Sequence, residues 1–154
     1  MTNSMRRINK IAMLVGGILL ATLALLVKCT AGSPLEILHL WDATDSLPPL
    51  WTVGMLWLGG YAVMGGGWLG VLCSKPMSAA GETAAYKGGM FLVIAVFFSF
   101  AWYLWLFGMG LAVLSWVSLL AGIAGAGVAG GCYLRLHAVV GLCIWGVEIG
   151  RAHV

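Results

Sequence analysis

Charge is what this chain has least of: Lys, Arg, Asp and Glu together make up 8% of its 154 residues. A soluble globule of that length needs far more polar side chain to cover its surface, so that class is excluded and lipid must solvate much of the exterior. Metal-binding patterns are missing too. The four cysteines, Cys29, Cys73, Cys132 and Cys143, show no CxxC spacing and no histidine at ligand distance in the sequence, which leaves them as unpaired packing residues. Polar groups able to perform acid–base or nucleophilic chemistry are equally scarce. The apolar runs hold only Ser99, Ser115, Ser118, Tyr61, Tyr103 and, near one end, His137, from which no catalytic constellation can be assembled. Ser115 and Ser118 are expected to bond back to their own helix carbonyls. His137 beside Arg135 reads as an interfacial residue, with heme ligation as the alternative. The net charge of +3 does not indicate nucleic acid, because the basic residues stand at segment ends instead of clustering on a polar face.

What is there is apolar length. The chain is 62% hydrophobic with a mean hydropathy of +1.02. Its runs predict an all-α integral membrane bundle of five transmembrane helices, a single domain over residues 1–147, with spans at about 11–27, 51–73, 89–107, 111–130 and 133–147. The first run, Ile11 to Val27, is slightly short for a span and could also be a signal peptide. Lys28 directly before Cys29, and the lack of a small-x-small site just past the run, favour a retained span. Between Lys28 and Pro49, an amphipathic piece around Trp41 is expected to lie against the bilayer or to lid a cavity. Ser74 to Lys87 reads as a polar loop, and Gly108-Met-Gly110 as the break of a tight hairpin.

Charge sets the expected orientation. Arg6, Arg7 and Lys10 precede the first span, Asp42 and Asp45 follow it, and Lys75, Lys87 and Arg135 fall on the same side as the leader, which places the N-terminus in the cytoplasm, in a bacterial inner membrane. The last seven residues, Glu148 to Val154, match the translation of a common sequencing-adapter read. They are expected to be non-native, so Glu148, Arg151 and His153 are not read as a cluster.

The most informative stretch is Leu47 to Gly65, a Pro48-Pro49 stop followed by an apolar helix. At about 100° per residue, Trp57, Tyr61, Met64 and Trp68 share one stripe with Gly54 at its edge, and Gly59, Gly66 and Gly70 share the opposite one. Gly66 and Gly70 form a GxxxG pair, as do Gly127 and Gly131; such pairs serve either packing within one bundle or dimerisation. Tryptophan is abundant. Trp51 and Trp68 suit an interfacial belt, whereas Trp57 and Trp145 lie two to three turns inside their spans and would line a pocket for a flat, largely apolar ligand.

At these residues the chain resembles the translocator protein family, the tryptophan-rich sensory proteins also called peripheral-type benzodiazepine receptors. The family's second-helix signature, Pro-Pro-x-Trp-x-x-Gly-x-x-Trp-x-x-x-Tyr-x-x-Met-Gly, is met by Pro48, Pro49, Trp51, Gly54, Trp57, Tyr61, Met64 and Gly65. Its third-helix motif is met in part: Trp102, Leu104, Phe107 and Gly108 agree, while Ser99 and Tyr103 stand where the family has asparagine and serine. Of its fifth-helix motif only Trp145 remains, with Gly141 in place of the proline.

The resemblance implies a five-helix bundle, a homodimer through its glycine-rich faces, and a cavity that binds porphyrin or heme, sterol-like molecules or synthetic ligands. No cofactor is required. The implied ligand-binding residues are Trp57, Tyr61, Ser99, Trp102, Trp145, Gly54 and Trp51, with Trp51 at the rim. Some family members promote light-dependent porphyrin breakdown, which gives a photo-enzyme as one alternative. A structural or assembly protein whose tryptophans merely anchor it is the other.

Overall fold

The computed structural model describes residues 9–31, 50–74 and 78–152, with side chains from Met55 onward in the second segment and up to Val147 in the third. It is all-α, an integral membrane bundle with no strand among the described residues: α1 (Lys10–Ala31), α2 (Leu50–Leu72), α3 (Ala79–Tyr103), α4 (Ala112–Leu134) and α5 (Ala138–Ala152), with a π-helical turn, Leu104–Gly108, extending α3. Four of these helices are long and apolar enough to cross a bilayer. The fifth, at 15 residues, is shorter than the roughly 20 that a bilayer core requires.

Each boundary has a local cause. Helix α2 starts at Leu50, directly after Pro48-Pro49. Helix α3 begins at Ala79, about ten residues before the expected span. Ser78 caps it, its hydroxyl accepting the Gly81 amide at 3.2 Å, Glu82 stands in the first turn where the helix dipole favours an acid, and four alanines, Ala79, Ala80, Ala84 and Ala85, fill the first two turns. The segment expected to be a polar loop is therefore helical from Ala79 on, because capping and propensity outweigh its modest polarity. Gly110 takes a left-handed conformation (φ 68°), and the Leu111 amide donates to the Trp105 carbonyl at 2.8 Å, closing the hairpin between α3 and α4. At the next corner the Tyr133 carbonyl accepts from both Leu136 and His137, so α4 extends to Leu134 and α5 starts five residues later than expected.

Helices α1 and α2 pack as an antiparallel pair, α3 and α4 as another, and α5 lies along α4 and touches α2. The first crossing is a backbone contact. A Cβ on Gly16 would overlap the Gly65 carbonyl, one on Gly65 would overlap the Gly16 carbonyl, and one on Gly66 would come within 2.9 Å of the Met13 carbonyl. In lipid such close approach is what holds helices together, since burying apolar surface gains little there. Gly66 is thus spent on packing within the bundle. Where α2 meets the second pair, the Trp68 indole lies over Gly89 of α3 beside the Tyr133 hydroxyl of α4, so Trp68 belongs to a helix junction instead of an interfacial belt.

The centre holds Tyr61, Met64, Leu92, Ala95, Ala126, Ala129, Tyr133 and Ile144. Outside it, Ile11, Leu14, Ile18, Leu19, Leu26, Val113, Trp116, Val117 and Leu120 are exposed, a pattern stable only where acyl chains are the solvent. The Ser118 hydroxyl, expected to bond its own helix, is buried with no partner among the described residues.

Candidate functional site: an aromatic cluster over the π turn

Two features of sequence build the cluster. Trp57 and Tyr61 are four residues apart on α2, and Phe100, Tyr103 and Phe107 repeat at helical spacing along the end of α3. The π turn supplies the third, its wider winding setting Phe107 against both Trp102 and Tyr103.

The rings form a continuous chain. The Trp57 centroid is 4.9 Å from Tyr61, edge-on at 85°, and 5.2 Å from Tyr103, tilted at 33°. Tyr61 lies 4.9 Å from Phe100, and Tyr103 lies 4.7 Å from Phe107. Trp102 closes the group at 6.4 Å from Tyr103 and 6.1 Å from Phe107, both edge-on. These separations are those of favourable aromatic pairs. Depth differs along the chain. Tyr61 is fully buried and forms the floor with Phe100, whereas Trp57, Trp102 and Phe107 are half-buried and form a rim. The end of α1 stands beside them, with Ala31 in van der Waals reach of a Cβ on Gly108.

Tyr103 is the polar element. Its ring is buried, and its hydroxyl has no hydrogen-bond partner among the described residues. A buried hydroxyl without a partner costs about 1–3 kcal/mol and calls for an explanation at its site. With no charged side chain in the cluster, the arrangement can stack flat apolar molecules and offer one phenolic hydroxyl to them; it holds no acid–base pair.

Of the residues singled out by sequence, Trp57, Tyr61 and Trp102 come together here. Ser99 is buried one turn from Tyr103, on the part of α3 that packs against Gly122 of α4. Trp51 and Gly54 lie in the first turns of α2, where the side chains are outside the described residues, and the Trp41 segment lies wholly outside them. Trp145 goes elsewhere. Its indole N–H donates to the Gly127 carbonyl at 3.2 Å, the ring occupies the place a Cβ would take on Gly130, and it is 38% exposed. Convergence of Trp145 with Trp57 is therefore replaced by a contact between α5 and the glycine run of α4. His137 stands in the turn between α4 and α5, at the other end of the bundle from Tyr103, half-buried with an unpartnered Nδ1. Among the described residues no group of three or more His, Cys, Asp or Glu could hold a metal ion.

Phe100, Tyr103 and Phe107 join the cluster although the sequence reading does not single them out as site residues. Their shared stripe was readable, but the π turn that closes it was not. The class defined by fold and site is thus an α-helical membrane protein with an intramembrane aromatic cluster. Comparison with protein-family models, with curated proteins and with solved structures returns no significant match.

Proposed function

We propose that this protein is a translocator-type membrane receptor that binds a porphyrin, such as heme or a heme precursor, against the Trp57, Trp102 and Phe107 rim. The observation that carries this reading is the unpartnered Tyr103 hydroxyl beneath two half-buried tryptophans. Flat macrocycles gain stacking energy on such rings, and a carboxylate or pyrrole group can take the hydroxyl. The second-helix signature, whose Trp57 and Tyr61 both belong to the cluster, supports the same reading. The role is sensory or transport, with entry from the side of the bundle where α1 ends.

In this reading the protein sits in a bacterial inner membrane with the Lys10, Lys87 and Arg135 end in the cytoplasm, and it functions as a homodimer.

The test is a titration of the full chain in nanodiscs with protoporphyrin IX, followed by tryptophan quenching and by the porphyrin absorption band, with empty nanodiscs as the blank. Saturable binding that weakens at least tenfold in Trp57→Ala and in Tyr103→Ala supports the site. Binding that is unchanged in both variants, or that matches empty nanodiscs, overturns it.

A further inference from the structure

At the end of the bundle away from the aromatic cluster, α3 and α4 part to leave a groove of about 410 Å³ lined by Ala80, Thr83, Ala84, Lys87, Val128, Gly131, Cys132 and Arg135. Its floor is made of small residues and its edges carry one cation from each helix. Lys87 and Arg135 are both exposed, and neither forms an ion pair among the described residues. The nearby carboxylate, Glu82, falls on the other side of α3: at about 100° per residue it points roughly 150° away from the face carrying Ala80, Thr83, Ala84 and Lys87. The Thr83 hydroxyl is bonded to the Ala79 carbonyl, so the two cations are the polar groups left to receive a ligand.

Depth decides what meets this groove. From Ala79 to Gly108, α3 and its π turn form a 30-residue span, about 45 Å long at roughly 1.5 Å per residue, against a hydrocarbon core about 30 Å thick. The excess amounts to several turns, and polarity places it at the end holding Glu82, Thr83 and Lys87. Helix α4 runs antiparallel and delivers Arg135 to the same level. The groove therefore starts among phosphates and continues toward acyl chains along Val128 and Gly131.

We infer that this groove is a binding site for one anionic phospholipid, its phosphate held between Lys87 and Arg135 and its acyl chain laid along the small-residue floor between α3 and α4. Basic pockets between membrane helices suit this class of ligand, because the charge pairs with the headgroup while the lipid tail fills a gap that a side chain does not. The occupant is a lipid, as opposed to a soluble phosphate, because the floor below the cations is apolar and opens to the bilayer. The site is independent of porphyrin binding, so failure of either proposal leaves the other standing.

The test is native mass spectrometry of the full-length protein released from micelles containing equal amounts of phosphatidylglycerol and phosphatidylcholine. Wild type is expected to retain one phosphatidylglycerol preferentially. Lys87→Gln with Arg135→Gln should reduce that preference by roughly thirtyfold, about fivefold per cation lost. Lys87→Arg with Arg135→Lys, which keeps both charges, should retain it, and so should Lys10→Gln with Lys28→Gln, which removes two cations elsewhere. Equal retention of the two lipids by wild type, an unchanged preference in the double glutamine variant, or equal protection against thermal unfolding by inorganic phosphate and by phosphatidylglycerol would overturn the proposal.

Discussion

Trp145 donates its indole N–H to the backbone carbonyl of Gly127 at 3.2 Å, which fixes α5 to the exposed glycine face of α4. Glycine at 130 is what lets the ring approach, since any side chain there would occupy the same space. This pairing makes Trp145 an anchor between helices, away from the ring chain built on Trp57.

Trp145→Phe should therefore lower the thermal stability of the detergent-solubilised protein slightly, by about 0.5–1.5 kcal/mol for one lost hydrogen bond. Gly130→Leu should cost more, about 1–3 kcal/mol or beyond, because it overpacks the same spot. Neither change should alter porphyrin affinity. A tenfold loss of binding in Trp145→Phe would return this residue to the ligand site.

The reciprocal glycine contact between Gly16 and Gly65 predicts sharp intolerance. Gly16→Ala and Gly65→Ala should each destabilise the fold by about 1–3 kcal/mol, as overpacking does when the obstructing atom is a backbone carbonyl. Gly59→Ala is the control, since a Cβ at that position meets nothing within 4 Å. It should be neutral or slightly stabilising, because alanine is the better helix former. Thermal unfolding of the three variants reads the difference directly.

Tyr103→Phe should separate stability from binding. Removing a buried hydroxyl that lacks a partner relieves a desolvation cost of about 1–3 kcal/mol, so the ligand-free variant should melt higher than wild type. The same variant should bind porphyrin more weakly, because stacking on Trp57 persists while the phenolic hydrogen bond is lost. A variant that melts lower would mean that the hydroxyl has a structural partner.

Topology can be read with the native thiols. Cys29 is exposed near the end of α1, and Cys73 is exposed at the opposite end, just past α2. If the Lys10 end lies in the cytoplasm, as proposed, a membrane-impermeant maleimide added to intact cells should label a variant retaining only Cys29 and spare one retaining only Cys73. The reverse pattern would invert the assigned orientation.

Much of the fold was legible because lipid is a strict solvent. Long charge-poor runs can only be helices there, and each break carried its own chemistry: Pro48-Pro49 before α2 and Gly110 after the π turn. The start of α3 departs from its composition, since polar residues there suggest a loop while Ser78 and a series of alanines make a capped helix. The end of α4 was set by hydrogen bonds to the Tyr133 carbonyl, which no pattern of residues announces.

The sequence by itself determined the class of solvent, the all-α architecture and the aromatic stripe of Trp57 and Tyr61, because these follow from composition and from the 3.6-residue period. Only the tertiary structure decided which rings meet. Trp57 and Trp145 look alike in sequence, each a deep tryptophan in an apolar run, yet one stacks on Tyr103 and the other hydrogen-bonds Gly127. The difference lies in where glycine allows a second helix to approach and where a π turn rotates a ring toward its neighbours, and neither is visible in the periodicity of the residues.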